Sequence, residues 1–200
     1  MVGMSRTPGL LKDRSPPPIR EDEPSLSAPV PAALNHPPPL RLLGSGKAYQ
    51  PELLALMARV ELLADLAGRE PEMLAPHLKA YAADPGCVIF REGEPGHSMC
   101  LLVSGRIRTY KESDLEHRAE VATESRGRSL GEMALIDGEP RSATCIATEP
   151  SVLLQLSRED FQRLGAERPA LALKLLVRIT KLMSRRLRLT SGRLVDYLDA

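Results

Sequence analysis

The residues best suited to chemistry lie in one run, LGEMALIDGEPRSATCIA, at positions 130–147. Gly131 and Glu132 open an apolar stretch that predicts a short helical turn, and Arg141 follows nine residues after the glutamate. Free backbone N–H groups at a first helical turn bind anions, and an arginine can hold a phosphate through paired N–H···O bonds. Glu132 would repel that phosphate, so it suits a neutral donor such as a sugar hydroxyl. The run therefore predicts a pocket for a sugar phosphate.

This run resembles the phosphate-binding cassette of the cyclic nucleotide-binding domains, a family shared by bacterial gene regulators, kinase regulatory subunits and cyclic-nucleotide-gated channels. The cassette reads Gly-Glu-hydrophobic-Ala-Leu, a short gap, then Pro-Arg-small-Ala, and each element is present here. The resemblance implies that Glu132 binds the ribose 2′-hydroxyl and that Arg141 binds the cyclic phosphate. It also implies that the Ser142 hydroxyl and the amides of Ala134 and Ala143 contact the phosphate oxygens. Gly131 and Met133 complete the expected cassette site.

A long C-terminal helix is predicted from Pro169 to about Asp199. One stripe of it recurs at three- and four-residue steps, as in a coiled-coil seam, through Leu176, Ile179, Met183, Leu187, Thr190 and Leu194. Residues 184–191 resemble the dimerisation helix of the family's bacterial regulators. That resemblance implies a homodimer in which Thr190 and Ser191, one from each subunit, hydrogen-bond the adenine of cyclic AMP. Cyclic GMP stays open because Ser142 adds a hydroxyl, and so does a cyclic dinucleotide.

The opposite face of this helix is basic. It carries Lys181, Arg185, Arg186, Arg188 and Arg193. Such a cluster could contact DNA phosphates, but it also suits the negative C-terminal end of the helix dipole. We expect a solvated face. DNA binding is not expected, because the sequence stops at Ala200 and offers no helix-turn-helix after the long helix.

The expected scaffold for this site is an α+β fold. Between residues 80 and 156 the apolar period is two, with glycine-rich turns, which predicts many short antiparallel strands. Helical periods precede this segment at 50–79 and follow it at 157–199, where Ser157 suits an N-cap. The resemblance implies an antiparallel β-roll, a jelly-roll-like double-stranded β-helix. A domain over 49–200 is thus predicted, with helices at 50–79, the β-roll at 80–156 and C-terminal helices at 157–199.

The first 48 residues predict a disordered tail. Ten of the 18 prolines lie before residue 40, and repeated prolines favour the polyproline II conformation. The tail could be a ligand for an aromatic groove of a partner protein or a plain linker. A start of the true protein at Met4 or later is also open.

Composition disfavours binding to nucleic acid or to an anionic membrane. The charge is nearly balanced, with 27 basic and 26 acidic residues, so the whole molecule does not attract a polyanion. Aromatic residues make up only 3% of the chain, which leaves few side chains on which bases could stack. Cys87, Cys100 and Cys145 are widely spaced, which disfavours disulfides and metal sites and favours a reducing cytoplasm, with each cysteine as apolar filler in strands. No apolar run is long enough for a membrane span. His77 could ligate haem, but ordinary surface or packing is the better interpretation.

These observations predict a sensor rather than an enzyme, with a cyclic nucleotide, expected to be cyclic AMP, as ligand and with no cofactor or metal. Ligand would bias the long helix between two arrangements, and an unidentified partner protein would receive the signal. Two alternatives remain at this stage. The chain could be an interaction module that has lost ligand binding, or a truncated transcription regulator.

Overall fold

Two antiparallel sheets form the centre of the computed structural model, which describes residues 38–57, 60–112 and 118–198. The first sheet has the order β1 (Arg41–Ser45), β2 (Lys79–Ala83), β9 (Ser151–Ser157), β4 (Ser98–Ser104) and β7 (Ser129–Leu130). The second has the order β3 (Val88–Phe90), β8 (Thr144–Ala147), β5 (Arg106–Glu112) and β6 (Arg118–Ser125). The predicted α+β fold with an antiparallel β-roll is confirmed. The two sheets do not close into a barrel.

The first sheet is buried on both faces because it separates two hydrophobic cores. Leu102 of β4 and Leu153 of β9 face the second sheet and pack with Ile107. The alternate residues Leu101 and Leu154 face the helices. Successive side chains of a strand point to opposite faces, so β4 reads as a continuous apolar run instead of an alternating one.

Short helical segments precede the roll. They are α1 (Gln50–Met57), a 3-10 helix at Glu61–Leu63, α2 (Glu70–Leu74) and a 3-10 helix at Ala75–His77. Leucine, methionine and valine residues recur at helical steps from Gln50 to about Ala67 and predict one helix there, with a break near Glu61 left open, but the described α-helix ends at Met57. The N–H of Leu63 donates to the Val60 carbonyl and that of Leu66 to the Leu63 carbonyl, so this segment folds in three-residue turns. Those turns bury Leu62, Leu63 and Leu66 together.

Two helices follow the roll, α4 (Arg158–Glu167) and α5 (Pro169–Leu198). Ser157 caps α4 as predicted, since its Oγ accepts the Asp160 N–H at 3.0 Å. The first half of α5 buries Leu171, Leu175 and Ile179 against the first sheet and the N-terminal helices. The predicted long C-terminal helix is thus present, and its second half leaves Leu187 exposed.

The boundary of the predicted tail is wrong in the structure. Residues Arg41–Ser45, inside the predicted tail at 1–48, form β1 and pair with β2, and a 3-10 helix follows at Gly46–Tyr49. This strand lies at the edge of its sheet with Leu42 exposed, so it lacks the apolar alternation that reveals a strand. Residues 1–37, which hold the proline runs, lie outside the described residues.

All three cysteines are free and buried, as predicted for small apolar residues. Burial raises the pKa of the Cys100 thiol to about 12 and that of the Cys145 thiol to about 11. In the described ranges, no helix combines the length and apolar character needed to cross a membrane.

Candidate functional site

The candidate site is built on α3 (Glu132–Asp137), a six-residue helix that leaves the end of β7. Gly131 takes the left-handed conformation, with φ +72°, and turns the chain from the strand into the helix. A Cβ at Gly131 would lie 2.4 Å from Nη1 of Arg141 and 2.8 Å from the Phe90 ring. Glycine is required here by both conformation and space. The close fit also brings the α3 N-terminus beside Arg141.

Arg141 is buried and held by backbone groups at the floor of the site. Its Nη1 donates to the carbonyls of Ser98, at 2.6 Å, and Gly131, at 3.1 Å, and its Nη2 donates to Ser98 Oγ at 3.0 Å. The guanidinium carbon lies 3.6 Å from the centroid of the Phe90 ring, a cation–π contact. Burial lowers the pKa of Arg141 because the cation loses solvation.

These contacts leave part of the Arg141 fork available. Arginine has five N–H donors, and Nε and one N–H of Nη2 have no partner among the described residues. The side chain is thus oriented by neutral groups and keeps donors for an anion. No carboxylate forms an ion pair with it within the described part of the chain.

Glu132 is buried beside Arg141 on the first turn of α3. Its Oε1 accepts a hydrogen bond from Nη1 of Arg186, which belongs to α5. Its Oε2 is buried without a hydrogen-bond partner among the described residues. Burial raises the pKa of this carboxyl, and the Arg186 charge offsets that effect only in part. A buried carboxylate oxygen without a hydrogen bond costs free energy, so a ligand that donates a hydrogen bond to Oε2 would be stabilised there.

Arg186 was missed as a site residue, because the basic face of α5 is predicted to be solvated. Lys181, Arg185 and Arg188 are exposed, but Arg186 turns inward and its Nη2 donates to the Ser129 carbonyl at 2.9 Å. The same nitrogen lies 3.8 Å from Glu124 Oε1. The missed signal is spacing. Arg186 continues the three- and four-residue steps from Ile179, so it lies on the inward face of the helix.

These groups surround one cavity of about 440 Å³, within the size range of small-molecule sites. The structure brings eight predicted residues to it: Gly131, Glu132, Met133, Ala134, Arg141, Ser142, Ala143 and Thr190. Ser191 does not line it and is exposed. Lining residues that the sequence did not single out include Phe90, Thr109, Lys111, Val121, Glu124 and Arg186.

Lys111 positions the far side of the cassette. Its Nζ donates to the Ser142 carbonyl at 2.9 Å and forms an ion pair with Glu92 Oε1 at 2.7 Å. That ion pair lowers the pKa of Glu92. The carbonyl of Ser142 is therefore tied to β5, while its hydroxyl lies at the exposed edge of the cavity, 3.8 Å from the Met133 sulfur.

The other candidate groups are structural. His77 is buried, with its Nε2 3.4 Å from Glu167 Oε2, in agreement with a packing role. Three or more histidine, cysteine, aspartate or glutamate side chains that could share a metal ion do not come together anywhere in the described ranges. The described site can therefore bind an anion and a hydroxyl group side by side in a partly apolar cavity.

Comparisons with known proteins show a family to which this chain is similar. Residues 82–168 match the family model described as "Cyclic nucleotide-binding domain". A solved cyclic nucleotide-binding domain from Methylobacillus flagellatus superimposes with a TM-score of 0.72 at 32% identity, over 79% of this chain and 89% of that one.

The chain is also similar to parts of two other proteins. A cAMP-dependent protein kinase regulatory subunit of Colletotrichum orbiculare is 36% identical over 108 residues, which are 54% of this chain and 27% of that protein. The cyclic AMP receptor protein of Thermus thermophilus is 32% identical over 123 residues, 62% of this chain and 55% of that protein. The chain thus matches about a quarter of the length of the kinase subunit and about half of the receptor protein.

Proposed function

Because this chain belongs to the cyclic nucleotide-binding domain family, we propose that it binds cyclic AMP in the cavity between α3, Arg141 and α5. One observation carries the proposal. Among the described residues, the Oε2 of buried Glu132 and the remaining N–H groups of buried Arg141 have no hydrogen-bond partner, and both side chains line the same cavity of about 440 Å³. An acceptor and an anion-binding cation, side by side, match a ribose hydroxyl next to a cyclic phosphate.

Arg141 is the proposed phosphate ligand. Its available N–H groups and the free amides at the start of α3 would donate to the phosphate oxygens, with the Ala143 amide and the Ser142 hydroxyl beside them. The Ser98 and Gly131 carbonyls already hold the guanidinium, so binding requires little ordering of this side chain. Each charge-assisted hydrogen bond contributes about 1.5–3 kcal/mol.

Glu132 is the proposed acceptor for the ribose 2′-hydroxyl, through its Oε2. Its Oε1 remains paired with Arg186, so the ligand does not have to break that ion pair to enter. A hydroxyl donor at Oε2 would remove the cost of leaving this oxygen unsatisfied.

Adenine is the base we propose, next to Thr190. The hydroxyl of Thr190 borders the cavity and can both donate and accept hydrogen bonds. Ser191 lies outside the cavity of its own subunit, which fits a serine donated by a second copy of the chain. The exposed apolar side chains of α5, Leu173, Val177, Leu187 and Leu189, support a homodimer through this helix.

The proposed output is a shift in the position of α5. Arg186 joins this helix to Glu132, so a ligand at Glu132 affects the contact that holds the second half of α5. Ligand can move the helix only as far as its affinities for two arrangements differ. The relatives compared above are a regulatory subunit and a receptor protein, which supports binding and regulation, not catalysis. A partner protein would receive the signal.

The test is calorimetric titration of the full chain with cyclic AMP, cyclic GMP and cyclic di-GMP. We expect micromolar binding of cyclic AMP that is lost in Arg141→Ala. The matched control is Arg126→Ala, which removes an exposed arginine of the β6–β7 turn and should bind as the parent chain does.

Each outcome of the titration has a defined meaning. Equal affinity of Arg141→Ala and the parent chain would refute the phosphate assignment. No binding of any of the three nucleotides to a folded chain would favour an interaction module that has lost its ligand.

A further inference from the structure

The C-terminal end of α3 is held by a contact that the ligand site itself does not explain. With six residues, α3 is about 9 Å long, too short to be stable by its own hydrogen bonds. Its first turn carries Glu132, and its last turn ends at Gly138, whose N–H donates to the Ala134 carbonyl at 3.1 Å. A tilt of α3 at its C-terminal end would therefore move Glu132 and the free amides at its N-terminal end.

Arg158 contacts that rear end. Its Nε donates to the Leu135 carbonyl at 3.2 Å, and its Nη2 donates to the Ala134 carbonyl at a longer 3.4 Å. The Leu135 carbonyl is one of those that a helix C-terminus leaves without a partner along the helix, and the Ala134 carbonyl already accepts the Gly138 N–H. The guanidinium also lies directly against Gly138, because a Cβ there would be 2.4 Å from its Nη1. Its positive charge matches the negative end of the α3 dipole.

The backbone of Arg158 is itself fixed. It is the first residue of α4, directly after the N-cap Ser157, and its N–H donates to the His97 carbonyl at 2.7 Å. The side chain therefore extends from a rigid point between β9 and α4 to α3. Two arginines of the C-terminal helices thus contact α3. Arg158 contacts its C-terminal end, and Arg186 contacts Glu132 in its first turn.

We propose that Arg158 is a positioning residue, which orients α3 for ligand binding and couples its movement to α4. The inference rests on the proposed function for its effect on the ligand. It goes beyond that function because Arg158 does not line the cavity and does not belong to the cassette run.

Two variants and two measurements test the proposal. Arg158→Met keeps the aliphatic stem and removes the donors, and Arg158→Lys keeps the charge without the planar fork. We expect Arg158→Met to weaken cyclic AMP binding about tenfold, as loss of hydrogen bonds from a charged donor predicts, and Arg158→Lys to recover part of this loss. In nucleotide-free protein, amides of residues 135–138 should exchange hydrogen faster in Arg158→Met, whereas amides of β4 should not change.

The matched control is Arg163→Ala on the same helix. Arg163 pairs with Asp160 at 2.7 Å and makes no described contact with α3, so its loss should leave both measurements unchanged. Wild-type affinity together with wild-type exchange in Arg158→Met would overturn the proposal. If Arg158→Met does not fold, the same pair of results in Arg158→Lys would overturn it.

Failure of the proposed function would look different. If the parent chain binds no cyclic nucleotide, the exchange measurement alone decides the role of Arg158. Faster exchange at 135–138 would then support the anchoring of α3, and unchanged exchange would refute it.

Discussion

At the scale of single residues, the site depends on a glycine as much as on its charged groups. Gly131 allows the left-handed turn into α3 and leaves space for Nη1 of Arg141 and the Phe90 ring. A side chain at this position would act on the orientation of Arg141 and on the α3 N-terminus together.

We therefore predict that Gly131→Ala weakens both ligand binding and stability. The left-handed conformation costs a non-glycine residue about 1–2 kcal/mol, and displacement of Arg141 adds to this cost. Gly93→Ala is the control, because Gly93 has φ +80° but no atom of the described residues lies within 4 Å of its added Cβ. Urea unfolding should show a larger loss for Gly131→Ala than for Gly93→Ala. Equal losses, with unchanged affinity for cyclic AMP, would contradict the assigned role of Gly131.

A second prediction concerns the charge of Glu132. Burial raises its pKa above the ordinary value of 4.5, so the folded chain holds this proton to higher pH than the unfolded chain does. Its contribution to folding stability is thus fully present below pH 4.5 and is lost as pH rises through the folded-state pKa. As pH rises above 4.5, the parent chain should lose stability that Glu132→Gln keeps, so the difference between them should change in favour of the variant. Urea midpoints of both proteins from pH 4 to 8 measure it, and a constant difference would contradict the prediction.

At the scale of elements, α5 divides into two halves with different roles. The first half is packed into the helical core and tied by Lys174 to Glu70 and by Arg178 to Asp65. The second half contributes Arg186 and Thr190 to the cavity while its outer apolar residues stay exposed. Because the first half of α5 is packed and its second half is held by the Arg186–Glu132 ion pair, a change at Glu132 would move the second half more than the first.

We predict that Arg186→Ala lowers the affinity for cyclic AMP about tenfold. Its loss removes the described ion-pair partner of buried Glu132, but the effect stays below that of a fully buried pair because 35% of the Arg186 side chain is exposed. Arg188→Ala is the control, since its described contact is only a 3.5 Å hydrogen bond to Ser184 on the helix surface. Calorimetry should separate the two variants. Equal affinities would show that Arg186 does not support the site.

The exposed apolar side chains of α5 yield a prediction about assembly. Leu187 is 69% exposed in the single chain, so Leu187→Glu should convert the proposed homodimer to a monomer with little effect on folding. Leu54→Glu changes another exposed leucine, on α1, and should leave the dimer intact. Sedimentation equilibrium measures both. A Leu187→Glu variant that remains dimeric would place the interface elsewhere.

At the scale of the whole molecule, the first sheet separates a core between the two sheets from a core between this sheet and the helices. Beside the second of these cores, ion pairs join α5 to the N-terminal helical segments. The hydrogen bond from Lys174 lowers the pKa of Glu70 below 4.5, and that from Arg178 lowers the pKa of Asp65 below 3.8. Both carboxylates therefore stabilise the folded chain above these ordinary values, and that stability is lost as pH falls through the lowered ones.

Glu70→Gln should accordingly flatten the acid limb of the stability profile. We expect the parent chain to lose more stability than this variant as pH falls below about 4.5, because the parent alone loses the Glu70–Lys174 pair. The size of the effect is limited by solvent exposure of the lysine. Urea unfolding from pH 3 to 6 tests this, with the exposed Glu139→Gln as control. Parallel profiles for the parent and Glu70→Gln would contradict the role of the pair.

Local sequence was sufficient to predict the features whose physics is local. Alternation and glycine turns predict most strands of the roll, Ser157 predicts the cap of α4, and the run from Gly131 to Arg141 predicts a pocket, which these residues line in the structure. Turn conformation, capping and strand alternation each depend on residues a few positions apart, so they can be read without knowledge of distant neighbours.

Tertiary structure decided the features that depend on what packs against a segment. Edge strand β1 has no apolar pattern of its own, and its pairing with β2 defines it. Arg186 belongs to a basic face by composition, yet the approach of α5 to Glu132, 54 positions away, turns it into the cavity. Arg158 likewise meets the end of α3 only because β9 and α4 lie behind it. An arginine in sequence has the same charge on any face of a helix, and the partner that approaches it determines what that charge does.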